Sequence, residues 1–181
     1  MDYKYISGNI VEVGEDSIWE DKMELSYWYP DTFVSGSRNE NGMKMKAFFN
    51  NSKVVTNYTF DKQFQGGPGV VHGGILSAAV DDLMGYAAAI HQRACVTVKL
   101  EVNYISPVQI DKEFSIEAWI SKIDGKKIYA ESIIHDRGFI HTETNAMFID
   151  LGERAAEHFG DKLPEETKEE KYDYKPESQY P

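Results

Sequence analysis

The stretch GVVHGGILSAAVDDLMGYA, residues 69–87, sets a histidine and two glycines ahead of small and apolar residues and then places two adjacent carboxylates, Asp81 and Asp82, inside that run. A carboxylate among small apolar residues is partly desolvated, which makes it a better proton acceptor than one in water. A His72-Gly73-Gly74 turn at a helix start exposes backbone N–H groups that have no intrahelical acceptor, and such groups suit a polarised carbonyl or an anion. A donor site and a base on one element point to acyl chemistry. On a wheel of ~100° per residue, Gly74, Ser77, Ala78, Gly85 and Ala88 fall within about 60° of Asp81. Ile75, Leu76, Leu83, Tyr86 and Ile90 form the opposite stripe, expected to pack on a sheet, and Asp82 falls near the border. The small-residue stripe implies close approach by another backbone or by a ligand.

The elements around this helix follow from periodicity. MKMKAFF and KVVTNYTF, split by an Asn-Asn-Ser turn, predict two paired strands from Met43 onward, and DKQFQGGPGV predicts a loop. A helix from Gly73 to about Ile90 follows, and then CVTVKLEVNYI, EFSIEAWISKI, KKIYAESIIH and FIHTETNAMFIDL predict four strands. The short turns between those four predict an antiparallel meander with one long helix covering a face, an α+β layer. The first forty residues read ambiguously, with NIVEV as a short strand. The charged, proline-punctuated residues from Glu153 onward predict a flexible tail.

Composition narrows the function classes. With 181 residues and 41% apolar content the chain is expected to form one compact domain. A net charge of −11 opposes extended nucleic-acid binding, and a small phosphorylated ligand needs only a local basic cluster. No apolar run near the ~18 residues of a membrane span occurs, and the start MDYKYISGNIVEV lacks a signal peptide's pattern, so a soluble cytoplasmic protein without membrane contact is expected. The single Cys95 reads as a buried thiol, and His135 and His141 read as surface residues outside any metal-ligand spacing. Tyr58, Phe64 and Tyr104 read as core aromatics. Neither a G-x-S-x-G elbow nor a phosphate-binding glycine loop follows a strand.

FQGGPGVVHGGILSAAVDDLMGYAA, TVKLEVNYISPV and GKKIYAESIIHDRGFIHTETNAMFI together resemble the hotdog-fold acyl-CoA thioesterases, particularly the phenylacetic-acid-pathway-like branch, over residues 33–151. FVSGSRNENGMKMKAFF resembles the family's lead-in, with Ser35 where a cysteine is common. The resemblance implies an antiparallel sheet wrapped around one long central helix at residues 41–152, an N-terminal extension at 1–40 packed on it, and the acidic tail at 153–181. It implies hydrolysis of an acyl-CoA to acid and CoA, with Asp81 as general base or nucleophile and the Gly73 N–H polarising the thioester carbonyl. His72 matches the motif histidine, and Thr97 matches a hydroxyl residue that helps hold the attacking water. Gly74, Gln65, Phe64, Ser77 and Lys99 are the expected substrate contacts, with Lys122, Lys126, Lys127 and Arg137 as further candidates for a basic patch under the CoA phosphates. Related branches carry Asn or Gln where this chain has Gly66, so Gln65 or the backbone of the QGGPG loop is expected to take that role. No metal or cofactor is implied beyond the coenzyme A of the substrate.

Gly73 and Asp81 are also separated by about 12 Å along one helix at ~1.5 Å per residue, too far to serve one reacting carbonyl. Two helices are needed, so a homo-oligomer is expected, a dimer at least and compatible with a tetramer, meeting along Gly74, Ser77, Ala78 and Gly85. The alternatives are a non-catalytic acyl-CoA-binding hotdog module and a hotdog acyl-thioester dehydratase.

Overall fold

Strand pairing in the computed structural model, which describes residues 5–6, 9–10, 24–25, 30–91 and 93–152, gathers most of the alternating runs into one antiparallel sheet around a single helix. In chain order the strands are β1 (Tyr5–Ile6), β2 (Asn9–Ile10), β3 (Glu24–Leu25), β4 (Ala47–Asn50), β5 (Lys53–Thr59), β6 (Gln65–Gly67) and β7 (Val70–Val71). The helix α1 (Gly73–Ile90) follows, then β8 (Cys95–Tyr104), β9 (Glu113–Asp124), β10 (Lys127–Asp136) and β11 (Phe139–Asp150). Among the described residues the main sheet has seven strands in the order β3-β4-β5-β9-β10-β11-β8, and β1-β2 and β6-β7 are separate small hairpins. This is the hotdog arrangement expected from the sequence. The predicted tail at 153–181 and most of the first thirty residues lie outside the described residues.

α1 spans the residues predicted for it and is wrapped progressively. Leu76, Ala79, Val80 and every residue from Leu83 to Ile90 are buried, while Gly74, Ser77, Ala78, Asp81 and Asp82 keep some exposure. Leu83, Met84 and Ile90 meet Phe114, Ile116, Ile128 and Ile134 of the sheet in one core that also takes in Val34, Met43, Met45 and Phe60. Gly85 and Ala88, expected on an open stripe with Asp81, are therefore enclosed by the chain itself, and only the first half of the stripe is presented outward.

Two expectations need correction. The last four strands are not a meander: β9, β10 and β11 follow one another, but among the described residues β8 pairs with β11 alone, and β9 pairs on its other side with β5. The link at residues 105–112 is long enough to cross the end of the sheet, and crossing lets Val108 be buried and accept the Val71 N–H at 2.9 Å. The QGGPG stretch, read as loop, is the β6-β7 hairpin, closed by Gly69 at φ 75. The Met43 to Lys46 run does show the expected alternation, Met43 and Met45 buried and the lysines exposed, although regular pairing begins only at Ala47.

The exit from α1 is fixed by charge. Arg93 Nη1 donates to Asp150 Oδ2 at 2.7 Å, and Asp150 Oδ1 accepts from the Gly152 N–H at 2.9 Å. Both side chains are largely shielded from water, so truncating one leaves the other's charge stranded. Asp150→Ala is expected to cost about 3–5 kcal/mol, read as a lower midpoint in urea unfolding; a midpoint within error of the parent would show that the pair contributes nothing.

Candidate active site

His72 satisfies most of the helix start by itself. Its Nδ1 accepts from the Gly74 N–H at 2.9 Å, and its carbonyl accepts from Ile75 and Leu76 at 2.9 and 3.2 Å. An accepting Nδ1 carries no proton, so a neutral His72 ring holds its proton on Nε2. The Gly73 N–H is the donor left over: no carbonyl or side chain among the described residues accepts from it. His72 is itself seated by its own N–H, which donates to the Phe64 carbonyl at 2.9 Å.

Gly66 explains the departure from the Asn or Gln of related sequences. A Cβ there would lie 2.7 Å from His72 Cα and 3.0 Å from its Cβ, so no side chain fits while β6 backs onto the histidine. Gln65, next to it, has its Oε1 accepting from the Gly69 N–H at 3.3 Å across the hairpin. The Phe64 side chain is buried in the core behind His72. Gly74, an expected substrate contact, has its N–H taken up by the His72 cap.

Asp81 and Thr97 are brought together: Thr97 Oγ1 donates to Asp81 Oδ1 at 2.8 Å. A bulge makes this possible. β8 and β11 pair in register from Tyr104↔Thr142 to Lys99↔Met147, and then shift so that Thr97 faces Phe148 and Val98 is skipped. In an unbroken strand Thr97 would share the outer face with Lys99 and Glu101; the extra residue turns it toward α1 instead. Burial raises the Asp81 pKa above the ordinary carboxylate value, and the Thr97 hydrogen bond partly offsets that.

Asp82 is the more deeply placed acid. Its Oδ2 is inaccessible and unpartnered among the described residues, and burial pushes its pKa to about 7, with a hydrogen bond from Ser35 opposing and the Asp81 charge adding. Ser35 arrives on a turn pinned by Met43 N–H to Phe33 carbonyl and Met45 N–H to Val34 carbonyl, both 2.8 Å. Asp81, half-open and bonded to Thr97, is thus the acid a ligand can reach.

Tyr104, read as core, stands 53% exposed at the end of β8, over the helix start. Its hydroxyl lies 2.9 Å from the Gly73 carbonyl and 2.6 Å from Ser77 Oγ, so the Ser77 hydroxyl meets Tyr104 directly. Alternation alone cannot distinguish an edge strand from a central one, and only the helical spacing of Gly73 and Ser77 hinted at a common partner. Lys99 pairs with Glu101 at 2.7 Å on the outer side of β8. The other proposed phosphate contacts scatter: Lys126 and Lys127 sit at the β9-β10 turn, with Lys122 nearby, whereas Arg137 is at the far end of β10. They do not form one patch.

Cys95 is buried as expected, its thiol pushed up to about 12 by burial. His141 is not a surface residue: it is buried, its ring packs edge-on against Phe114 and Phe139, and its Nδ1 lies 2.9 Å from the Pro107 carbonyl. His135 is largely covered and lies 3.2 Å from Glu117. No group of three potential metal ligands occurs among the described residues, and none of the helices they form is long and apolar enough to cross a membrane.

Residues 68–138, from the helix approach through β10, match the thioesterase superfamily. Among curated proteins, the chain is 29% identical over 114 residues to the acyl-coenzyme A thioesterase THEM4 of Xenopus laevis, covering 61% of this chain and 51% of that one. The chain spans about half the length of the curated relatives it matches. Among solved structures, a thioesterase superfamily protein aligns with a TM-score of 0.65 at 24% identity, covering 67% of this chain and 61% of its own. A hypothetical thioesterase with coenzyme A from Streptococcus pneumoniae aligns with a TM-score of 0.52 at 17% identity, covering 54% and 77%. These likenesses establish the hotdog fold and its resemblance to the thioesterases.

The Asp82 environment yields a test with a definite sign. Its folded pKa lies above its unfolded value of 3.8, so the folded state binds the proton more tightly. The cost of ionising it is absent below pH ~4, grows as pH rises toward 7 and stays constant above. Asp82→Asn should match the parent's stability near pH 4 and exceed it at pH 8 by on the order of 2–4 kcal/mol. Equal melting temperatures at pH 8 would show that Asp82 ionises without penalty.

Proposed function

We propose that the protein hydrolyses acyl-CoA thioesters, R–CO–S–CoA and water giving R–COOH and CoA–SH. The observation that carries this reading is the Asp81–Thr97 hydrogen bond beside a helix whose Gly73 N–H has no acceptor among the described residues. The curated relatives named as acyl-coenzyme A thioesterases and the coenzyme A bound to the Streptococcus pneumoniae neighbour support the substrate class.

In this mechanism the thioester carbonyl oxygen accepts from the Gly73 N–H, which strengthens as negative charge develops there. Asp81, with one oxygen held by Thr97, uses the other to take a proton from the attacking water, and its raised pKa favours that transfer. The tetrahedral intermediate collapses with loss of the CoA thiolate, which takes up a proton to leave as the thiol. Direct attack by Asp81 would instead give a mixed anhydride that water then opens. Label found in the Asp81 side chain after a single turnover in heavy-oxygen water would identify the second route, with the anhydride opened at the aspartyl carbonyl.

Both groups lie on one helix about 12 Å apart, so the site is completed by a second copy of the chain. β8 supports this: among the described residues it is a ten-residue edge strand with one side unpaired, and Val98 and Tyr104 on it and Ile105 just beyond it are more than half exposed. The open part of the helix stripe, Gly74, Ser77, Ala78 and Asp81, lies beside it. Antiparallel approach of two such surfaces brings Gly73 of one chain to Asp81 of the other.

Asp81→Asn is expected to lower turnover by roughly two to four orders of magnitude, and Thr97→Ala by about tenfold, in a thiol-release assay across an acyl-CoA panel. Tight binding without release for every chain would point to a binding module instead. Asp81→Asn and His72→Ala, each nearly inactive, should complement after unfolding and refolding as an equal mixture. About half the dimers are then mixed, each with one intact site, and activity returns to about a quarter of the parent's. Inactivity despite demonstrated mixed dimers would show that Gly73 and Asp81 do not meet across the interface.

A further inference from the structure

We propose that Tyr104 is the positioning residue of the helix-start donor, clamping the first turn of α1 to the end of β8 so that the Gly73 N–H keeps one direction. Three observations meet at this residue. The Tyr104 hydroxyl donates to the Gly73 carbonyl at 2.9 Å. Ser77 Oγ lies 2.6 Å from the same hydroxyl, and because a phenol has only one proton, Ser77 must be the donor in that contact. The ring also rests on Gly73: a Cβ there would lie 3.2 Å from Tyr104 Cζ and 3.3 Å from its hydroxyl oxygen.

The arrangement explains two otherwise separate features. A helical serine ordinarily turns its hydroxyl back to the carbonyl four residues earlier, which for Ser77 is Gly73. Here Tyr104 occupies that carbonyl and Ser77 binds Tyr104 instead, so a strand residue is inserted into the helix's own local bonding. A side chain at Gly73 would crowd the seated ring, which would have to give by a few tenths of an ångström while two hydrogen bonds hold it in place. The exposed ring then walls one side of the first turn and leaves the Gly73 N–H to be approached from the other.

The catalytic part of this inference rests on the thioesterase reading, and the clamp itself does not. Two measurements keep them apart. The first is amide hydrogen exchange of Ile75 and Leu76, whose N–H groups donate to the His72 carbonyl. Tyr104→Phe keeps the ring and removes the hydroxyl, and Ser77→Ala removes the other partner. Each should speed that exchange several-fold while leaving the amides of the buried second half of α1 unchanged, and unchanged exchange in both variants overturns the clamp whatever the activity. The second is steady-state hydrolysis of an acyl-CoA that the parent turns over. Tyr104→Phe should lower kcat about tenfold with KM nearly unchanged, as expected when one hydrogen bond that orients a transition-state donor is lost. The double variant Tyr104→Phe/Ser77→Ala should be little worse than either single one. Gly73→Ala should lose activity, and Tyr104→Leu, which removes the atoms a Cβ would meet, should restore part of it. Additive losses, a change confined to KM, or no restoration by Tyr104→Leu would overturn the positioning role. A parent inactive on every acyl-CoA would refute the thioesterase reading and with it the catalytic role, while the exchange data would still decide the clamp.

Discussion

The N–H groups of a helix's first turn cannot find partners inside the helix, and how this chain disposes of them governs the rest of the site. His72 takes three, one through its ring and two through its carbonyl. That one residue must therefore be held from behind, and Phe64, Gly66 and the β6-β7 hairpin are what hold it. The donor that His72 cannot reach is its immediate neighbour's, on Gly73. The reactive feature of this helix is thus a remainder: the N–H left when a single capping residue has used both its acceptors.

The second constraint is the length of helix that the sheet leaves open. From Leu83 onward α1 is enclosed on every side, and before that one stripe faces out. Asp81 stands at the last open position and Asp82 just inside the cover, so two adjacent carboxylates experience different environments. The pair raised by the sequence has a divided answer. Asp81 keeps a partner, Thr97, and an approach; Asp82 is pressed against the turn carrying Ser35 and is held toward neutrality by burial.

Legibility in the sequence followed the range of the interactions. α1 could be bounded at Gly73 and Ile90 because its cap and its apolar period are local. The long strand runs were equally visible, Asp81 and the helix-start donor stood out by residue pattern and received their roles by resemblance, and Thr97 came by resemblance alone. What lay beyond reach depended on partners distant in the chain. Turn lengths could not show that β8 would leave β9 and pair with β11. The wheel set Asp82 at a border but could not see the covering turn at residues 32–36. Nor could alternation place His141 between two phenylalanines or Tyr104 at an edge.

The bulge at Val98 links the acid end of the open stripe to its donor end. Thr97 and Tyr104 are an odd number of residues apart, and in a regular strand they would point to opposite faces. Because β8 skips one pairing between Thr97 and Lys99, both point to the helix, one reaching Asp81 and the other Gly73. The same strand therefore fixes both ends of the open stripe, the acid and the donor, with a single irregularity between them. An edge strand is where such an irregularity is least costly, since only one neighbour's ladder is disturbed. The register shift within β8 is what lets it address both ends of one helix.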